Sequence, residues 1–125
     1  MLASALAMAT IPAEDVDRGT KFYTQMLGLK KLDGQPSRFS VFEAGQGSRI
    51  LMYQRDRTKA EHTEITFLVD DVEAEVEKLS NKGVKMERYN TGEIKTNEKG
   101  IADMNGRQMA WLKDTEGNIL GLSTK

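Results

Sequence analysis

At 125 residues, with 38% hydrophobic content, the chain has enough apolar material for one domain or two small fused modules. Its 18 basic and 19 acidic residues are interspersed to a net charge of -1, which excludes a basic nucleic-acid footprint and a polybasic membrane patch. The absence of cysteine excludes disulfide scaffolds, thiolate zinc sites and cysteine nucleophiles, and no apolar stretch reaches the length of a membrane span.

The opening MLASALAMATI is small and apolar and lacks the basic start of a signal peptide, so a cytoplasmic protein is expected. A first strand is predicted over about residues 3–11, ended by Pro12, which offers no ladder donor. Asp15 is placed to cap a helix whose Val16, Phe22, Tyr23, Met26 and Leu27 form an apolar stripe. Gly28 suits a left-handed helix end. Residues 29–32, 38–44 and 49–54 read as strands, with Gly45-Gln46-Gly47 turning between the last two. Residues 55–61 form a charged linker.

The same plan then repeats. Residues 63–69 alternate between an apolar face (Ile65, Phe67, Val69) and a polar one (Glu64, Thr66). Asp70 and Asp71 open a second helix with Val72, Val76 and Leu79 at i, i+4 and i+7, closed by Gly83. Residues 84–89, 109–113 and 118–123 read as strands. The polar, glycine-rich segment 90–107 is long for a connection in so small a chain; it reads either as a functional element, a lid or dimer contact, or as a mobile hairpin tip. A unit of this size cannot bury its own sheet face, whereas two copies can. The expected fold is α+β: one domain, 1–125, of two tandem βαβββ modules, about 1–56 and 62–125. Their curved, mixed sheets surround a cleft, with helices outside.

In this order and spacing the chain resembles the vicinal-oxygen-chelate superfamily of glyoxalases, bleomycin-resistance proteins and extradiol dioxygenases. The carrying residues are Asp15-Val16-Asp17-Arg18, Phe22-Tyr23 and Leu27-Gly28, then Val69-Asp70-Asp71-Val72, Leu79 and Lys82-Gly83-Val84. Ala110-Trp111-Leu112-Lys113-Asp114, Glu116-Gly117-Asn118-Ile119-Leu120, and Lys95-Thr96 with Gly100-Ile101-Ala102 complete the pattern. The resemblance covers nearly the whole chain and implies a scaffold rather than a reaction. It also implies a homodimer, because relatives commonly pair across a two-fold axis.

In metal-dependent members the resemblance implies His, Glu or Gln ligands on the first and last strand of each module. The corresponding positions here are Met8, Met52, Glu64 and Gly121, with Gln54 and Glu43 as neighbours if the register moves by one. One carboxylate, two thioethers and a missing side chain do not make a site for a hard or borderline divalent ion, so no metal and no cofactor are expected. Alternation places Met8, Thr10, Ile50, Met52, Gln54, Glu64, Thr66, Ile119 and Gly121 on the cavity, flanked by Trp111. A mostly apolar lining with few polar groups describes a small-molecule pocket, and methionine adapts to varied ligands.

Glu64 reads either as a catalytic acid/base or ligand-orienting carboxylate, or as a residue salt-bridged to a strand cation such as Arg49. The single histidine, His62, reads as a solvated strand-edge residue or as a base at the cleft mouth. Two functions follow. The first is metal-free binding of an apolar or aromatic small molecule, without nucleic acid or membrane as partner. The second is a lyase, isomerase or dioxygenase-type enzyme using Glu64 as acid/base or metal ligand. A vestigial cleft serving as an interaction module is a third.

Overall fold

The computed structural model describes residues 1–125 and divides into two compact units, Met1–Thr58 and Lys59–Lys125. In the first, β1 (Met8–Ala13) leads into α1 (Val16–Lys21), which continues as one wider turn over Phe22–Met26. Then come β2 (Lys30–Leu32), β3 (Phe39–Glu43) and β4 (Arg49–Gln54). The sheet order is β1-β4-β3-β2, with β1 and β4 parallel and the rest antiparallel.

The first strand begins later than the sequence suggested, since Leu2–Ser4 form a short 3-10 turn. Pro12 does not end it; it lies within β1, paired with Tyr53. A proline is tolerated there because β1 is an edge strand.

The α1 start is fixed by Asp15, whose side chain accepts from the Arg18 amide at 3.0 Å. The helix packs its Val16, Gly19 and Tyr23 side onto β3 and β4. Fully buried Tyr23 stacks on Phe42 at a centroid distance of 5.2 Å. The Thr20 and Ser40 hydroxyls lie 2.8 Å apart across the same interface.

The second unit repeats the plan. It contains β5 (Thr63–Val69), α2 (Val72–Asn81), the two-residue strands β6 (Asn90–Thr91) and β7 (Ile94–Lys95), then β8 (Ile101–Met104), β9 (Arg107–Lys113) and β10 (Ile119–Thr124). Its four-stranded sheet runs β5-β10-β9-β8, again with one parallel pair. Asp71 caps α2 through the Ala74 amide at 3.1 Å, the counterpart of Asp15. The glycines closing the helical segments, Gly28 and Gly83, have φ of 73° and 88°, which a β-carbon disfavours. Val72, Val76 and Leu79 are buried where α2 packs on β9 and β10, each contributing on the order of 1.5–3 kcal/mol. No helix is long and apolar enough to cross a membrane.

The segment 84–89 is not the strand its alternation suggested. Met86 makes only an isolated bridge to Leu112, with the Glu87 amide donating to the Trp111 carbonyl at 2.8 Å. The edge of β9 is shared: β8 occupies Arg107–Ala110, leaving only the far end for residues 86–87. The strand that completes the second βαβββ repeat is therefore β8, inside the segment expected to be a loop. The rest of that segment is ordered too. Thr96 donates its amide to the Tyr89 carbonyl at 2.9 Å, and its hydroxyl accepts from the Tyr89 amide at 2.9 Å.

Candidate functional site

Each sheet has a helix-covered face and an open face, and strand register decides which residue sits where, since paired residues share a face. In the first unit Met8 pairs with Arg49 and Thr10 with Leu51; neither Met8 nor Thr10 is buried. Ile50 and Met52 pair with Phe42 and Ser40, which face α1, so both lie beneath the helix, 3% and 0% exposed. Gln54 continues their phase and accepts from Arg38 Nε at 3.2 Å.

Ile50, Met52 and Gln54 therefore do not share a face with Met8 and Thr10, contrary to the sequence reading. The open-face residues of β4 are Arg49, Leu51 and Tyr53. The strand RILMYQ alternates poorly, which hid the phase. The charges of Glu43 and Arg49, paired across β3 and β4, were the available signal, because neither can sit beneath a helix without a partner. A hollow of about 570 Å³ on this face is bordered by Met8, Phe39, Val41, Arg49 and Leu51, among others.

In the second unit strand register groups the residues differently. Gly121 pairs with Trp111 on one side and Thr66 on the other, placing all three on the open face. The β5–β10 register shifts between Ile119 and Leu120, so Thr63 pairs with Ile119 and Glu64 occupies the extra position. Trp111, Ile119 and Ala102 form a buried cluster with Tyr89, Ile94 and Ala60 packed against it. Tyr89 meets Trp111 edge-on, at 5.4 Å between centroids and 80° between planes. A cavity of about 220 Å³ opens here, walled by Glu61, His62, Thr63, Tyr89, Thr91, Ile94, Trp111 and Ile119.

Of the residues expected on the pocket, Trp111 and Ile119 wall this cavity. Glu64, Thr66 and Gly121 lie on the same face but not on its wall. The walls contributed by Tyr89 and Ile94 were missed. They come from a hairpin whose folding back over Trp111 has no periodic signature; only its unusual length marked it.

A larger hollow, about 740 Å³, lies between α2 and segments 84–88 and 98–99. Its walls carry both charge signs, and Lys99 pairs with Glu73 at 3.3 Å across it. It lacks an aromatic wall and reads as a charged surface groove flanking the helix.

Glu64 is half-buried, and its carboxyl is held above the usual range. Burial is the largest cause, then the like charge of Asp114, partly opposed by His62. Asp114 itself is buried in the β9–β10 turn, accepting from the Glu116 and Asn118 amides at 2.8 and 2.9 Å and from Asn118 Nδ2 at 2.8 Å. The Tyr89 phenol is also raised, by burial and then by Glu87. Within its own unit no ion pair involves Glu64.

The positions implied for a chelated metal do not fit one. Met52 is buried under α1, Gly121 has no side chain, Met8 is a thioether, and Glu64 alone offers oxygen. No group of three or more His, Asp or Glu side chains is placed to hold an ion. A β-carbon added at Gly121 would stand 3.2 Å from both Thr63 Cγ2 and Thr66 Oγ1, which would have to give by a few tenths of an ångström, and 3.6 Å from Trp111 Cδ1, an ordinary contact.

Two duplicated βαβββ units, each a mixed four-stranded sheet with one covered and one open face, define a class of two-module scaffolds. The chain belongs to the Glyoxalase/Bleomycin resistance protein/Dioxygenase superfamily, which it matches over residues 5–122. In fold it is similar to a lactoylglutathione lyase from Agrobacterium tumefaciens (19% identity, TM-score 0.70, covering 97% of this chain and 93% of that one). It is similar to the fosfomycin resistance protein FosX from Mesorhizobium loti (17% identity, TM-score 0.67, 98% and 92% covered). An integron cassette protein from V. cholerae is likewise similar (21% identity, TM-score 0.66, 97% and 94% covered). At these identities the likeness is one of fold alone. No curated protein matches the sequence.

Proposed function

We propose that this chain is a small-molecule-binding member of the superfamily that holds an apolar or aromatic compound without a chelated divalent ion. The observation that carries this is Gly121. Where the family resemblance puts a metal-ligating side chain, this chain has none, and Thr63 and Thr66 stand 3.2 Å from where its first carbon would lie. The aromatic and aliphatic walls beside it suit an apolar ligand. A thermal-shift screen of small aromatic compounds, with EDTA or with added divalent metals, tests the reading. Ligand-dependent stabilisation unchanged by EDTA is expected. Stabilisation that appears only with metal would overturn it.

The second reading, an enzyme in which Glu64 transfers a proton, is favoured by that carboxyl's raised affinity for protons. It predicts turnover of a carbonyl or diol compound that Glu64→Gln abolishes with the fold intact. We also propose that the two units act as one domain, that the protein is cytoplasmic, and that two copies pair. Exposed Leu2, Leu6, Met8 and Phe39 on the first unit support pairing, since a second copy would remove them from water.

A further inference from the structure

We propose that the Trp111–Tyr89 cavity selects an organic cation, a protonated amine on a small apolar body, over neutral and anionic compounds of the same size. This rests on the small-molecule-binding reading and names the ligand class.

Three observations carry it. Two aromatic rings wall the cavity at 80° to one another, and a cation lying within about 6 Å of an aromatic face is attracted by the ring quadrupole. Ile94 and Ile119 complete an apolar wall of a size that takes a single ring or a short chain. The ionised groups are one-sided. Glu61 is on the wall, Glu64 follows the wall residue Thr63 in β5, and no lysine or arginine lines the cavity.

Glu61 and Glu64 share with Glu77, Glu93 and Glu98 of the same unit the lack of a lysine or arginine partner, whereas Glu73, Glu75, Glu87 and Asp70 are each matched by a lysine within 4 Å. Lys113, on the same face of β9 as Trp111, is engaged by Glu87 at 3.5 Å. Asp114 adds to the negative field at Glu64, and His62 is the one group on the wall that can oppose it. A carboxylate-biased, partly dry cavity favours a cation and penalises an anion.

Trp111 is the only tryptophan, so its emission reports this cavity directly. Phenethylamine, 2-phenylethanol and phenylacetate share one ring and nearly one length but carry positive, zero and negative charge near pH 7.5. The expected order of affinity is amine, alcohol, acid, with the amine favoured over the alcohol by about tenfold. Glu61→Gln should weaken the amine by about three- to tenfold and leave the alcohol within about twofold; a merely structural role for Glu61 would move both alike. Equal binding of amine and alcohol, or preference for phenylacetate, would overturn the cation proposal and leave the small-molecule reading standing. Failure of all three to perturb Trp111 would overturn both.

Discussion

Replacing Gly121 with alanine measures how closely the second sheet is packed at the position where the family resemblance places a chelating group. The glycine's backbone is not in the left-handed region, so the effect is steric. The new methyl group would meet Thr63 Cγ2 and Thr66 Oγ1 at 3.2 Å, closer than ordinary van der Waals contact, and Trp111 Cδ1 at a comfortable 3.6 Å. Overpacking of this kind costs about 1–3 kcal/mol. Thr66 is exposed and can rotate away, which keeps the cost near the low end, and what remains falls on Thr63, half-buried beside the register shift. Relief of glycine's own penalty within a strand returns about 0.5–1 kcal/mol. The net expectation is a loss of about 0–1 kcal/mol, read as a lower urea midpoint at unchanged slope. The sharper signal is coupling. Thr63→Ser removes the methyl group that alanine would strike, so the two substitutions together should be more stable than their sum by about 0.5–1 kcal/mol. If Gly121→Ala stabilises the wild-type chain by the full glycine term and shows no coupling to Thr63→Ser, the space is open and the reasoning fails.

Three further outcomes are expected. Gly100→Ala should cost about 2–4 kcal/mol in urea unfolding, because φ is 85° and the added carbon would lie 2.8 Å from Met86 Cβ; a change below about 0.5 kcal/mol would contradict the tight crossing of residues 86–87. Asp71→Ala should lose about 1 kcal/mol through the unmet Ala74 amide, while Asp71→Asn or Asp71→Ser keeps most of it. For Glu64→Gln the sign follows from the raised carboxyl. Its favourable contribution is present in full below the ordinary value of 4.5 and is lost as pH rises through the higher folded-state value. Unfolding midpoints of the glutamine variant should therefore gain on the wild type as pH is raised from 4 to 7; parallel curves would show that Glu64 is not desolvated.

Much of this architecture is legible in the residues because the local signals agree with one another. Asp15 and Asp71 cap their helices as their positions suggested, and Val72, Val76 and Leu79 bury the stripe their spacing implied. Gly121 and Thr66 share a face, as alternation suggested for β5, whose Glu64 and Thr66 differ clearly in polarity from Ile65, Phe67 and Val69. Alternation failed where faces do not differ. In β4, Ile50, Leu51, Met52 and Tyr53 are all compatible with burial, and a one-residue phase error assigned Met52, which lies beneath α1, to the open face. Residues 84–89 carry strand-like alternation because Val84 and Met86 are buried, yet burial was supplied without a full ladder. The cavity wall at Tyr89 and Ile94 depends on a tertiary fold-back, held by Thr96 and the edge contact with Trp111, and no window of sequence contains that information.

The proposal that this chain binds a small molecule without a chelated metal makes a direct demand on its metal content. Elemental analysis of the protein after incubation with manganese, iron, nickel or zinc, followed by desalting, tests it most directly. Only trace metal per chain is expected, because of the four implied positions Glu64 alone offers an oxygen donor and Gly121 offers no side chain. Retention of one equivalent of any of these ions, lost on Glu64→Gln, would contradict it.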